Sequence, residues 1–140
     1  MRLQLKLELV VEGDLGRVLR YRRPSGRCPV ADFLDGLDKN SRNKLKGEFE
    51  AVTLRGRNHE NHQRFKALTG KGKPLWEFKE FDHRVYCSRE CRPDSEWVEV
   101  VLLYGWTKQK RGKHKEEDNE IENAQRLYDE YLEEKERMKK

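Results

Sequence analysis

Glu77, Lys79 and Arg84 are the residues whose types and spacing most plainly suggest chemistry. They fall within Leu75-Trp76-Glu77-Phe78-Lys79 and His83-Arg84-Val85-Tyr86, two short runs rich in aromatic and β-branched residues. Side chains alternate across a strand, so Glu77 and Lys79 share a face with Leu75, while Trp76 and Phe78 point to the other. Arg84 on the neighbouring strand can join the first face. A carboxylate beside an ammonium and a guanidinium is a platform for phosphate, because charged donors make strong hydrogen bonds to its oxygens. A third run, Val100–Gly105, ends in Trp106-Thr107-Lys108 and opens a dense basic segment containing Lys110, Arg111, Lys113 and Lys115. That segment suits contact with RNA phosphates, and Trp106 suits stacking on a base.

The elements that must hold these residues can be read from pattern. The three runs are separated by Asp82-His83 and by the polar stretch Ser88–Glu96, which predicts an antiparallel meander. Upstream, Leu3, Leu5, Leu7 and Leu9 alternate with polar residues, predicting a strand with one buried face. A turn at Glu12-Gly13-Asp14 leads to a second strand over Gly16–Arg23, ended by Pro24-Ser25-Gly26. Pro29 suits the first position of a helix, and Val30, Phe33, Leu34 and Leu37 form its apolar stripe. Asp38-Lys39-Asn40 breaks that helix, and Ser41 is expected to cap a second one carrying Leu45, Phe49 and Val52. The two form an αα-hairpin that needs the Trp76–Phe78–Val85 face to lie on. Residues 57–74 are expected to be loop around Phe65–Leu68, and Trp76 to be core. A third helix starts at Glu116 with a narrow stripe of Ile121, Ala124, Tyr128 and Tyr131. Its last turns, 133–140, are expected to fray.

Composition sets limits on this plan. The chain has 140 residues, of which 41% are charged and 34% hydrophobic, so one domain with a small core is expected. The net charge of +5 is uneven. Residues 64–115 hold 13 Lys or Arg against 7 Asp or Glu, and residues 116–140 hold 5 against 10. A basic body that binds a polyanion, followed by an acidic helix with another task, fits that division. Three cysteines cannot all pair internally. Cys87, Cys91 and His83 do not have zinc-finger or zinc-ribbon spacing, so no metal is expected. The alternating start is unlike a leader, and no apolar run reaches membrane-spanning length. A cytoplasmic location and no membrane partner are expected.

Taken in order, Pro29-Val30-Ala31-Asp32-Phe33-Leu34-Asp35-Gly36-Leu37, Ser41-Arg42-Asn43-Lys44, Lys66-Ala67-Leu68, Leu75–Lys79, Arg84-Val85-Tyr86 and Leu102–Lys108 resemble the RelE/HigB branch of the RelE/ParE toxin superfamily, including its phage-derived RelE-like members. The resemblance spans roughly residues 17–132. It implies an α+β RelE-like fold: a small, mostly antiparallel sheet with an N-terminal αα-hairpin on one face, and a C-terminal helix. The whole chain, 1–140, would form one domain, with residues 1–14 as an added N-terminal strand and 133–140 as the tail.

The resemblance also implies an activity. Such toxins enter the ribosomal decoding site and cut messenger RNA without a metal or other cofactor. The ribose 2′-hydroxyl attacks the adjacent phosphate, leaving a 2′,3′-cyclic phosphate and a 5′-hydroxyl. On that reading Glu77, Lys79, Arg84 and Lys108 are catalytic, and Lys66, Trp106, Lys110, Arg111 and Lys113 bind RNA. Glu77 is either the general base or the partner that orients Arg84. The chain departs from the family in having Lys79 where Arg is usual, a point charge in place of a fork. It also has Tyr104 where His is frequent, a poor base at an unperturbed pKa near 10. His59 and His62 lie near enough to shuttle protons, although loop histidines are most often only solvated. The partners implied are the ribosome, its messenger, and a cognate helix-turn-helix antitoxin through which operator DNA is contacted indirectly. The competing readings are a ParE-like toxin that blocks a topoisomerase by binding it, and an inactive relative held by its antitoxin.

Overall fold

A computed structural model describes residues 5–60, 63–109 and 114–139. The chain is α+β, with a six-stranded mixed sheet between a pair of helices on one face and a single long helix on the other. The elements in order are β1 (Lys6–Gly13), β2 (Gly16–Arg22), α1 (Pro29–Asp35), α2 (Lys39–Arg55), β3 (Phe65–Ala67), β4 (Trp76–Glu80), β5 (His83–Cys91), β6 (Val98–Thr107) and α3 (His114–Met138). The sheet order is β1-β2-β6-β5-β4-β3. Only β2 and β6 run parallel; every other neighbouring pair is antiparallel. The long connection through α1 to β5 is what lets β2 return beside β6 in parallel, since a hairpin cannot.

Two strands precede the helices, so no N-terminal helical hairpin is seen. The helices also attach to different strands: α1 lies on β6 and β2, and α2 on β1, β2 and β4. The first core is their joint product. Val30, Leu34, Leu45, Phe49 and Val52 pack on Val18, Phe78, Val85, Val100 and Leu102. Phe33 of α1 sits so close over β6 that a Cβ on Gly105 would come within 2.3 Å of its ring. Gly105 is therefore the residue that lets α1 seat. Asp38, rather than Ser41, caps α2; its carboxylate accepts the Ser41 N–H at 3.2 Å. Capping by Asp38 lets the helix begin at Lys39, inside the stretch expected to break it.

The second core lies under α3. Ile121, Ala124, Leu127 and Tyr131 are buried against Leu19, Tyr21, Leu75, Tyr86, Leu103 and Trp106. The stripe is broader than Ile121, Ala124, Tyr128 and Tyr131 suggested, because Leu127 joins it and Leu132 and Tyr128 flank it. The ring of Tyr131 meets Tyr21 edge-on at 5.7 Å, and Glu130 accepts the Tyr21 hydroxyl and pairs with Arg23 at 3.0 Å. The last turns, expected to fray, are helical within the described residues. The helix continues to Met138, Glu134 is buried, and Lys135 pairs with Glu90 at 2.8 Å.

Two strands depart from their expected lengths or faces. β5 continues through Ser88–Cys91, which pair with Val101–Val98 of β6. β1 bulges between Leu9 and Val11, so the simple alternation ends there. Leu5 and Leu7 pack toward α3, Val10 and Val11 toward α2, and Leu9 is left 58% exposed. None of the described helices is long and apolar enough to cross a membrane.

Candidate active site

Two cross-strand rows bring the expected residues together. Register pairs Lys66 with Glu77, Glu77 with Tyr86 and Tyr86 with Tyr104; one step along, it pairs Lys79 with Arg84 and Arg84 with Trp106. Alternation from Leu75, Tyr86 and Trp106, all in the second core, puts both rows on the α3 face. The open cationic face expected from sequence is therefore a covered one, exposed only at its rim. α3 closes over most of it because the helix carries the wider apolar stripe described above.

Glu77 is 3% exposed. Its Oε1 lies 3.5 Å from Nε of Arg84. Burial pushes the Glu77 carboxyl up, and Arg84, Lys79 and Lys66 pull it back without cancelling the effect. Arg84 is held from two sides. Its Nη1 donates to the carbonyls of Phe81 at 2.7 Å and His83 at 3.0 Å, so the guanidinium is clamped to the β4–β5 turn. Phe81 in that turn has φ of 53° and is 80% exposed. A bulky residue in the left-handed region is uncommon, and the Arg84 bond to its carbonyl helps hold it there.

Lys79 and Lys66 are half-buried neighbours of this pair. The Lys79 ammonium is shifted down by burial, then by the like charge of Lys66, and further by Arg84, while Glu77 opposes the shift. Glu117, in the first turn of α3, acts on both Glu77 and Lys79, so the acidic start of the helix faces the cationic rim. Lys108 follows β6 directly, and its backbone N–H donates to the Asp82 carbonyl at 2.8 Å. That bond ties the end of β6 to the turn that holds Arg84. Lys110, Arg111 and Lys113, and also His62, lie outside the described residues.

Trp106 and Tyr104 have other duties. Trp106 is 6% exposed, and its Nε1 donates to the Tyr86 hydroxyl at 2.9 Å. It is a core residue with a satisfied donor, not a free stacking surface. The Tyr104 hydroxyl donates to Glu120 at 2.5 Å. Burial and that carboxylate push it up to about 12, which removes Tyr104 as a base near neutrality. Trp76 is half-buried between Phe65, at 4.9 Å, and the Arg89 guanidinium, at 4.3 Å from its ring.

His59 is buried, not solvated. Its ring stacks on Phe65 at 5.7 Å, and burial, then Arg55 and Arg89, lower its pKa. It lies on the α2 side of the sheet, away from both rows. Beside it is a residue that sequence reasoning missed. Glu48 of α2 is 6% exposed, and neither carboxylate oxygen has a hydrogen-bond partner. Burial pushes its carboxyl up to about 8, against a smaller opposing pull from Arg64. A group whose folded pKa exceeds its unfolded one favours folding at low pH, and this advantage is lost as pH rises toward the folded value. Glu48→Gln is accordingly expected to flatten the loss of thermal stability between about pH 5 and about pH 8, and to melt above the wild type at the upper end. Melting curves at both ends check it; an unchanged pH slope would show that Glu48 ionises freely.

Cys28 and Cys87 are buried thiols and Cys91 is partly exposed; none is in a disulfide. No cluster of three or more His, Cys, Asp or Glu side chains among the described residues is arranged to hold a metal ion. No protein-family model matches the chain, and no curated protein matches it.

Proposed function

We propose that this chain is the toxin of a type II toxin–antitoxin pair, a ribosome-dependent endoribonuclease of the RelE-like fold that cuts messenger RNA by 2′-hydroxyl attack. The observation that carries this reading is the convergence of Lys66, Lys79 and Arg84 on the buried Glu77 at the rim of one sheet face. A protein that only binds another protein has no evident need to hold a clamped guanidinium beside a lysine on the next strand and a second lysine one strand further. In the attack, the O2′–P bond forms as the P–O5′ bond breaks. The 2′ proton leaves to a base, and the departing O5′ takes one from an acid.

The residues divide this work by exposure. Arg84 and Lys66 bind the non-bridging oxygens and stabilise the charge that grows on them. Glu77 is too buried to meet a ribose, so we assign it the second of its two open roles: it orients Arg84. Lys79, whose ammonium burial and Lys66 disfavour, is the group best suited to exchange a proton with the 2′-hydroxyl. Lys108, tied to the Asp82 turn, supplies the cation on the leaving-group side. A cognate antitoxin with a helix-turn-helix domain would oppose this rim with acidic side chains.

Induced expression followed by mapping of RNA ends tests the activity. Cuts within translated messenger, with 2′,3′-cyclic phosphates, are the expected result. Arrested replication with intact messenger would favour the topoisomerase-binding alternative, and no growth effect the inactive one. No step assigned here needs a metal bound to the reacting phosphate. On intact ribosomes in magnesium, a messenger with sulfur in place of a non-bridging oxygen at the cut site should therefore be cut no faster when manganese or cadmium is added. Rescue of that phosphorothioate by a thiophilic cation would overturn the assignment of roles.

A further inference from the structure

A grip on phosphate alone is blind to the bases, so an RNA strand held at the rim described above needs a second kind of contact to fix its bases. The stacking surface expected from sequence, Trp106, is buried and bonded to Tyr86. Among the described residues the exposed large apolar side chains are Leu9, Leu54, Phe81 and Met138, and Phe81 is the only ring in that group. It is 80% exposed, so the fold gains almost nothing from packing it.

The backbone of Phe81 is not chosen for stability either. Register pairs Glu80 with His83, so Phe81 and Asp82 form a two-residue hairpin turn between β4 and β5. Phe81 has φ of 53°, the left-handed conformation for which such turns favour glycine or asparagine. Strain of this kind persists where surrounding bonds over-determine it, and it clusters at functional sites. The bonds here come from residues of the proposed active site. Arg84 Nη1 donates to the Phe81 carbonyl at 2.7 Å, and the Lys108 N–H donates to the Asp82 carbonyl at 2.8 Å. The turn that displays the ring is therefore fixed to the groups assigned to the reacting phosphate.

Its surroundings say what the ring would meet. Phe81 lines a cavity of about 180 Å³ with Gln63, Arg64, Lys79 and Glu80. The Arg64 carbonyl accepts the Lys79 N–H at 2.8 Å, which sets the two cations side by side along the chain edge. Glu80, the acid in that lining, lies 3.8 Å from Lys44. A ring bordered by cations suits a partner with a flat π face and a negative backbone better than an apolar protein surface, and single-stranded RNA has both. We infer that Phe81 is a base-stacking platform for the nucleotide that presents its 2′-hydroxyl to Lys79. That this nucleotide belongs to the cut messenger rests on the proposed activity; stacking of single-stranded RNA on Phe81 does not.

Titration of the whole chain with a short oligoadenylate, and with an abasic chain of equal length and charge, tests the platform. The wild type should bind the oligoadenylate roughly tenfold more tightly than the abasic chain, the ratio expected for one stacked base. Phe81→Gly and Phe81→Leu should lose most of that ratio, and Phe81→Trp should keep it. Phe81→Gly retains the carbonyl that Arg84 uses and takes a positive φ freely, so it should melt no lower than the wild type. A wild type that binds both chains alike, or a ratio kept in Phe81→Gly, would overturn the inference. So would a ratio kept in Phe81→Leu, which marks a plain apolar contact of the kind a protein partner makes, or a Phe81→Gly variant that melts well below the wild type. The two readings separate cleanly. Stacking by a chain that cuts no messenger would keep the platform and reject the toxin, whereas mapped cleavage with no preference for the oligoadenylate would do the reverse.

Discussion

Arg84→Ala should lower cleavage by roughly a hundredfold to a thousandfold, about the effect of deleting one donor aimed at developing negative charge. It should also cost stability, because Arg84 is more than an exposed cation on a sheet. Its Nε is the ion partner of a carboxylate that is 3% exposed. Breaking a buried pair strands the remaining charge. The pair here is loose, at 3.5 Å, and Lys66 and Lys79 remain nearby, so a loss of about 1–3 kcal/mol is expected. The sign with pH is definite. The folded pKa of Glu77 already lies above its unfolded value, and losing Arg84 raises it further. Folding stability therefore falls as pH rises out of the acid range, and it should fall further in Arg84→Ala than in the wild type. Adding Glu77→Gln removes the stranded charge. The double variant Glu77→Gln/Arg84→Ala should regain much of the stability and lose the Glu77 share of the pH dependence, yet stay inactive. A double variant as unstable as Arg84→Ala would show that Arg84 acts on the fold through its bonds to Phe81 and His83. Cleavage retained by either variant at normal expression would show that the catalytic site lies elsewhere.

The parts of this arrangement legible in the sequence are those governed by local rules. Alternation placed Glu77 and Lys79 on one face, and they lie there; Pro29 opened α1. The failures share one cause, which is burial supplied by distant segments. A stripe read from α3 alone looked narrow because Leu127 and Leu132 count only once the sheet beneath is known. That same omission made Glu77 look exposed and Trp106 look free. Glu48 sits at helical spacing with Lys44, Ala51 and Arg55, a pattern that reads as a solvated face. It is buried where His59, Arg64 and Phe65 lie beside that face. Ser88–Cys91 read as a turn on polarity, but β6 is long enough to pair with it throughout.

The acid-rich third helix is a natural candidate for an element that an antitoxin displaces, but the packing of α3 argues against it. Leu127 and Tyr131 are 7% and 1% exposed in the second core. Leu127→Ala should cost about 2–5 kcal/mol and Tyr131→Ala about 3–5 kcal/mol, the usual range for truncations that leave cavities. Tyr131→Ala also removes the edge-on contact with Tyr21. Against a total stability on the order of 5–15 kcal/mol for a domain, the two together should leave the chain largely unfolded, even with partial overlap between neighbouring sites. Thermal melts of the single variants check the magnitudes. An antitoxin that peeled α3 away would have to replace this whole core, whereas one that covered the rim beside Glu117 would only have to meet Lys66, Lys79, Arg84 and Lys108. Antitoxin binding is therefore expected to leave hydrogen exchange across residues 120–132 slow, and to protect the Phe81–Arg84 turn. Binding should also weaken as salt rises, because the rim charges are partly exposed. Faster exchange along 120–132 in the complex would instead show that the helix is displaced and that the second core is held together by the partner.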